Sequence, residues 1–450
     1  MSKLALFGGE KTVTYTETEM FDWPIITDED RAAVLDVLNK RAMSGTNITK
    51  EFEKDWCEWL GAKYALGFNN GTAALHAAMF GCGVGRGDEV ICPSVTYWAS
   101  CTSAMNLGAT VVFADVDKDT LGLDPKKLES KITDKTKAII VVHYLAYPAD
   151  MDPIMEIAKK HNIKVIEDVS HAQGGLYKGR RLGTIGDVAA ASLMAGKSFA
   201  IGEAGILNTD DREIYERAIA FGTYERFTED NIETDYLKPY AGLPLGGFKH
   251  RMHQMSAAVG RVQIKYYDER CAEIRKALNY FWDQLEGVPG IQAHRVDEST
   301  GSNMAGWYVP TCIYKPEELD GLSATRFCEA LAAEGVIVEG AGIKPGCNRP
   351  LHTHPLFQTA DVYGDGKPTR IAFKDNDVRV MDEDLEVSEY INTRAIYLPY
   401  FKHYKPEIID QYVAAFKKVC ENYKELLEGD KGDADNLGGW HRFKHTKKAK

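Results

Sequence analysis

The sequence predicts an α/β protein in two parts: a large domain with a mostly parallel sheet between helices, and a smaller C-terminal α/β domain. Short apolar, β-branched runs alternate with helical patterns from Tyr64 to Phe221, the pattern of a parallel sheet covered on both faces. The chain has 450 residues, beyond the size at which a single core stops growing. A long helical pattern then leads into a segment that alternates differently. These signals divide the chain into an N-terminal arm (1–26), a large domain (27–265), a small domain (266–429) and a loose tail (430–450).

The elements follow in order. Residues 1–26 are turn-rich, and Trp23-Pro24 cannot lie inside a helix, so the arm rests on another element, with a second subunit as the expected partner. Thr27 and Asp30 resemble a capping box, opening a helix with Ala33, Val34, Val37 and Leu38 on one face. Phe52, Trp56, Trp59 and Leu60 make a second apolar face. Strands are expected at Tyr64–Phe68, Glu89–Cys92, Val111–Ala114, Ala138–Val142, Ile163–Ile166 and Val188–Ser192. Asn69 to Thr72 open a helix of small residues whose first amides, with the Thr72 hydroxyl, can cradle a phosphate or serve only as a cap. Pro93 to Ser100 begin a helix that brings Tyr97 and Trp98 to the same sheet edge, where one ring can stack on a flat ligand. Asp152-Pro153 cap a helix carrying Ile154, Ile157 and Ala158. Asp210–Phe221 is helical, residues 222–247 form a long lid or interface loop, and a helix from Met252 to about Gly287 joins the domains. Beyond it lie a strand from Trp307 to Tyr314, a helix from Ser323 to Ala333 and a strand from Val336 to Glu339. An irregular stretch runs to about Arg394, and a closing helix spans Pro406 to Leu427. Trp440 and Phe443 suggest that part of the tail docks.

The chemistry concentrates between residues 163 and 205. Glu167-Asp168 ends one strand, and Lys197 follows another in a glycine-flanked loop, so an acid and a lysine meet at the edge where open α/β sheets bind ligands. Taken singly, Asp168 caps a loop and Lys197 is a solvated lysine. Together they suit pyridoxal 5'-phosphate, whose aldehyde forms a Schiff base with a lysine and whose ring nitrogen needs an acid to stay protonated. The stretch ASLMAGKS around Lys197 is a degenerate P-loop, but Gly202 and Gly205 interrupt the helix that a P-loop lysine must open. GVGRG at 83–87 follows a helix and precedes a strand, the reverse of a dinucleotide fingerprint, and reads as a turn. His352 and His354 have no third ligand at metal-binding spacing, so no metal is expected.

Composition narrows the partners. A formal net charge of −12 argues against nucleic acid and anionic membrane, and 44% hydrophobic with 27% charged residues describes a protein that works on a small molecule. Nine cysteines without a CxxC pair read as reduced thiols. No stretch spans a bilayer, and MSKLALFGG is too short and glycine-broken for a signal peptide, so the expected location is cytoplasmic.

An ordered set of motifs covers nearly the whole chain: LALFGGEKT at the start, NGTAALHAA (70–78), GDEVICPSVTYWAS (87–100), MDPIMEIAKKHNIKVIEDVSHAQG (151–174) and YKGRRLGTIGD (177–187). GKS around Lys197, GEAG (202–205) and HRMHQMSAAVGRVQI (250–264) complete it. With these the chain resembles the DegT/StrS-type sugar aminotransferases of the fold-type I pyridoxal-phosphate enzymes. The resemblance implies Lys197 as the Schiff-base lysine, Asp168 on the pyridine nitrogen and His171 near the phenolic oxygen. It also implies Gly71, Thr72, Ala73 and Ser192 around the phosphate and Tyr97 stacked on the ring. A homodimer with shared active sites and ping-pong transfer from glutamate or glutamine to a keto-sugar, nucleotide keto-sugar or keto-cyclitol would follow. The chain departs from the family at Lys249, where an Asn commonly reaches the neighbouring subunit's phosphate, at Ala204, and at Leu145-Ala146-Tyr147-Pro148 in place of Phe-Gly-x-Pro. The alternatives are a dehydratase or epimerase of the same fold, whose known sugar dehydratases carry His where Lys197 stands, and a regulator that binds the cofactor without turnover.

Overall fold

The β-branched runs become neighbours in one seven-stranded sheet in the computed structural model, which describes residues 3–338, 341–361, 384–435 and 437–439. Its strands are β1 (Tyr64–Phe68), β2 (Glu89–Pro93), β3 (Thr110–Ala114), β4 (Thr136–Val142), β5 (Lys164–Asp168), β6 (Val188–Ser192) and β7 (Gly205–Thr209), in the spatial order β1-β7-β6-β5-β4-β2-β3. The run from β3 to β6 is parallel, and β7 pairs antiparallel with both β6 and β1. Strands buried on both faces need side chains that are apolar throughout, which is why β4 and β6 read as continuous hydrophobic runs. The strand β7 has no counterpart among the expected elements. Its sequence, GILNT, buries a polar Asn208, which is satisfied by donating to the Gly183 carbonyl (2.7 Å) and accepting from the Trp56 indole (3.4 Å).

The helices covering this sheet are α1 (Asp28–Asn39), α2 (Asn47–Leu60), α3 (Gly71–Gly81), α4 (Ala99–Asn106), α5 (Met151–His161), α6 (Arg212–Gly222) and α7 (Gln254–Gln284). Thr27 and Asp30 form the capping box reciprocally: the Asp30 amide donates to Thr27 Oγ1 (3.3 Å) and the Thr27 amide to Asp30 Oδ2 (2.8 Å). The helix expected from Pro93 starts only at Ala99, because the Ser94 amide still donates to the Ala114 carbonyl and prolongs the sheet ladder. The long helix α7 passes through the 265/266 position. Ala257, Tyr267 and Cys271 pack with Phe52 and Trp56, whereas Ile274 to Trp282 pack with the C-terminal elements.

Those C-terminal elements are an antiparallel sheet of β8 (Ile291–Ala293), β9 (Thr311–Tyr314) and β10 (Ala395–Tyr397) with α8 (Ala324–Ala333) and α9 (Pro406–Glu421). The strand expected from Trp307 begins at Thr311, since Trp307 and Val309 adopt left-handed φ values of 48° and 53° and Pro310 follows. The strand expected at Val336–Glu339 is Ile337–Val338, and Glu339 lies outside the described residues. The closing helix ends at Glu421 and resumes at Lys424–Leu427.

The arm and the segment after α9 both dock on this domain. Leu4, Val13 and Met20 are buried in one cluster with Phe281, Phe327 and Phe416, and the Val13 amide donates to the Glu334 carbonyl (2.9 Å). The Glu334 carboxylate accepts from the amides of Ala5 (2.8 Å) and Thr12 (3.2 Å) and pairs with Lys418 (2.9 Å). Leu4, Val13 and Met20 of the arm thus pack on elements of their own chain. The tail is likewise tied at its start: Asp430 accepts from the Ser323 amide (2.8 Å) and Asp433 from the Thr325 amide (2.8 Å), two carboxylates at the N-terminus of α8. Trp440 and Phe443 lie outside the described residues.

Candidate active site

Strand β5 ends in two acids that alternate across the sheet and take different work. Glu167, fully buried, accepts from the amides of Gly183 (2.8 Å), Ile185 (2.7 Å) and Gly186 (2.6 Å) and faces His143 Nε2 at 3.0 Å. Burial pushes its carboxyl up, but His143 and the amides outweigh that and hold it below the usual carboxylate range. Ala149 donates its amide to His143 Nδ1 (3.1 Å), which leaves the Nε2 hydrogen for Glu167. This pair fastens two loops.

Asp168 stands at the carboxyl end of β5. The Ser100 hydroxyl donates to its Oδ2 (2.7 Å) and the Ser170 amide to its Oδ1 (3.1 Å), so the carboxylate is aimed by two donors while 4% exposed. Ser100 and Ser170 were missed in the sequence because serines carry no periodic signal. A third missed residue, Gln173, staples the floor: its carboxamide donates to the carbonyls of Ser170 (3.1 Å) and Ser192 (2.7 Å) and accepts from Ser198 (2.8 Å).

Lys197 sits in the tight connection between β6 and β7, with its amide on the Met194 carbonyl (2.8 Å) and its carbonyl accepting from the Trp23 indole (2.9 Å). No helix follows it, since the chain bends through Gly202 at φ 102° into antiparallel β7, and the P-loop reading fails on that geometry. Burial lowers the Lys197 ammonium from the ordinary lysine value to about 8, against the charge of Asp168, which raises it. An amine that titrates near neutrality can both attack and carry a proton.

Close approach brings the start of α3 to the end of β6. A Cβ added at Gly71 would lie 2.7 Å from Ser192 Cβ, so only glycine lets the start of α3 meet the end of β6. Asn70 Oδ1 accepts from the Ala73 amide (2.8 Å), which gives Ala73 to the cap and leaves Gly71 and Thr72 as the remaining donors of that turn. His171 is buried, and its Nδ1 accepts from the Leu145 amide (3.2 Å). Leu145 and Ala146 hold φ values of 51° and 70° there. Tyr97 is half-buried, three residues before Ser100, with its ring 4.7 Å from that of Trp98. Lys249 is not gathered into this group: it is exposed and bridges the backbone of Thr223.

One further residue enters. Tyr308 stands with its ring centroid 4.2 Å from Lys197 Nζ and 4.3 Å from the His171 ring. It is carried by a segment in which Ala305, Trp307 and Val309 all take left-handed φ (44°, 48° and 53°), strain of about 1–3 kcal/mol each that persists only where surroundings over-determine it.

Elsewhere, the two histidines first weighed for a metal make hydrogen bonds within the fold. His352 Nδ1 lies 2.7 Å from Ser94 Oγ, and His354 Nδ1 accepts from the Leu356 amide (3.0 Å). Among the described residues no three His, Cys, Asp or Glu converge as metal ligands, and no helix is long and apolar enough to cross a membrane.

A buried acid, a lysine with a depressed pKa and a glycine-only cradle at one edge of a mostly parallel sheet fit pyridoxal phosphate, and they define an enzyme of that class. Residues 24–417 match the DegT/DnrJ/EryC1/StrS aminotransferase family, and the chain belongs to it. It is a pyridoxal-phosphate-dependent aminotransferase. It is 30% identical over 397 residues to a GDP-perosamine synthase of Caulobacter vibrioides, covering 88% of this chain and 96% of that one. It is 31% identical to a protein of Streptoalloteichus tenebrarius provisionally named L-glutamine:3-amino-2,3-dideoxy-scyllo-inosose aminotransferase, covering 81% and 87% of the two chains. The X-ray structure of the aminotransferase from Psychrobacter cryohalolentis superposes with a TM-score of 0.75 at 28% identity, covering 90% of this chain and 99% of that one.

Proposed function

We propose that Lys197 is the lysine that joins the cofactor and moves the substrate proton, that Asp168 keeps the cofactor's ring nitrogen charged, and that the acceptor is a keto-sugar, nucleotide keto-sugar or keto-cyclitol. The observation that carries this is the meeting of Lys197 and Asp168 at one sheet edge beside the Gly71–Ser192 cradle. When bound, pyridoxal phosphate supplies an electron-withdrawing ring that takes up the negative charge left as a substrate carbon loses its proton. Lys197 accepts and returns that proton at Nζ, a role suited to an amine titrating at about 8. Gly71, Thr72 and Ser192, with Ala73 in the same turn, hold the phosphate, while His171 and Tyr97 orient the ring. The perosamine and inosose relatives support a ketone on a sugar or cyclitol, with glutamate or glutamine as donor.

Borohydride treatment of the holoenzyme should fix the cofactor on Lys197, read by peptide mapping. A label on Lys178 or another lysine would overturn the assignment. To identify the ketone, the aminated cofactor form is incubated with keto-sugars and keto-cyclitols. Return of the lysine-bound absorbance with one of them supports the reading, and a response to simple 2-oxo acids alone refutes it.

The working unit in this reading is a cytoplasmic homodimer with shared sites. The connection from 223 to 249 exposes Tyr236, Tyr240, Leu243, Leu245 and Phe248, apolar surface of the kind that subunits cover. Lys249, at its end, then serves the neighbouring subunit's phosphate as a charge-assisted donor, worth about 1.5–3 kcal/mol if desolvated. Lys249→Ala should weaken cofactor affinity about tenfold or more. Mixed dimers of Lys249→Ala with Lys197→Ala should regain activity, since one site would then be intact. Two impaired single variants without recovery on mixing would show either that the loop serves its own subunit or that the assembly is not this dimer.

A further inference from the structure

Tyr308 is not used by the roles assigned above, yet its position is over-determined. Trp307 is buried in the small-domain core, the Tyr400 hydroxyl donates to the Gly306 carbonyl, and a Cβ at Gly306 would lie 2.8 Å from Ser198 Cβ, one residue from Lys197. With three left-handed non-glycine residues around it, the segment is fixed from the small domain and from the lysine loop at once. The result is a stack: the Lys197 amine over one ring, and that ring tilted 39° against the His171 imidazole. An aromatic face attracts a cation within about 6 Å, and the attraction grows as water is excluded.

We propose that Tyr308 is a positioning residue for Lys197, its ring face holding the lysine as an ammonium beside His171 whenever the amino group being transferred resides on the cofactor. The inference rests on Lys197 being the exchanging lysine. It gives the small domain a direct hand in the proton transfer, because a ring carried between α7 and β9 sets where the proton-bearing Nζ waits.

Among the described residues, Nζ lies over the Tyr308 ring, which packs in turn on His171 of the loop after β5, and it feels the charge of Asp168 on β5. Burial lowers the ammonium's pKa, and Asp168 raises it. The ring face also favours the charged form, so removing it lowers the value further. Two variants separate the ring from the hydroxyl: Tyr308→Phe keeps the face, and Tyr308→Leu fills the space without a π system.

The experiment follows acetylation of Lys197 against pH by peptide mapping, in holoenzyme held with the aminated cofactor. Tyr308→Leu should move the midpoint down by about one unit, a roughly tenfold more reactive amine below the midpoint, and should lower kcat with KM little changed. Tyr308→Phe should keep the wild-type midpoint and recover kcat. A wild-type midpoint in Tyr308→Leu overturns the inference, as does a shift in Tyr308→Phe equal to that of Tyr308→Leu, which would assign the effect to the hydroxyl. The borohydride label is mapped in each variant: label away from Lys197 refutes the proposed function, whereas label on Lys197 with equal midpoints refutes only the part given to Tyr308.

Discussion

Asp168→Asn should keep its fold and much of its cofactor while losing at least about a hundredfold in turnover, or about 2.7 kcal/mol of barrier. The amide has the carboxylate's shape: its oxygen can still accept from the Ser170 amide while its NH2 donates to Ser100 Oγ, so the floor of the site survives. What disappears is the negative charge in a site closed to water, where an opposite charge strongly favours the protonated partner. A ring whose nitrogen loses its proton is a poor electron sink. Single-turnover rates with the amino donor, alongside the cofactor content of the purified variant, separate the two effects. Ser100→Ala, which removes one aiming donor and leaves the charge, should cost much less. Near-normal turnover in Asp168→Asn would mean that another group holds the nitrogen.

The largest stability loss is expected from Arg226→Ala. Arg226 Nη1 donates to both oxygens of Glu53 (2.8 and 3.0 Å), and Glu53 Oε1 also accepts from the Gly67 amide (2.7 Å). The pair, 8% and 5% exposed, joins α2, β1 and the root of the long connection. Removing the guanidinium strands a buried carboxylate, a loss of about 3–5 kcal/mol in chemical unfolding. Burial already pushes the Glu53 carboxyl above its ordinary value despite Arg226, and without the partner it rises further. The folded variant then binds a proton that the unfolded chain has released, so its stability falls as pH rises through the folded pKa and recovers on acidification. The double variant Glu53→Leu with Arg226→Met should restore most of the loss, because no charge is left to desolvate. A single-variant loss below about 1 kcal/mol, typical of exposed pairs, would contradict the burial argument.

How much of this could be read from sequence depends on how local the signal is. An acid closing a β-branched run and a lysine between glycines are neighbours along the chain, so Asp168 and Lys197 declare themselves. So does the Thr27–Asp30 box, whose spacing is its geometry. The Glu53–Arg226 pair spans 173 positions and has no periodic trace. Tyr308 is hidden for a different reason: Trp-Tyr-Val reads as strand by propensity, while the backbone there is left-handed at every second residue. The arm is legible as an arm but not by its socket, because apolar residues do not say whose surface they meet.

That socket has a consequence for the order in which the chain becomes itself. Leu4, Val13 and Met20 leave the ribosome before any strand of the sheet, but their neighbours Phe401, Tyr412 and Phe416 are made some four hundred residues later. Strands β2 to β7 can close on one another as they emerge, each pairing with a strand already made, and β1 is paired once β7 is complete. The arm has to wait, its apolar side chains unburied, until α9 is made. The small domain is thus a clasp that shuts only once α9 is present, and the Trp23 indole on the Lys197 carbonyl extends that clasp to the loop between β6 and β7.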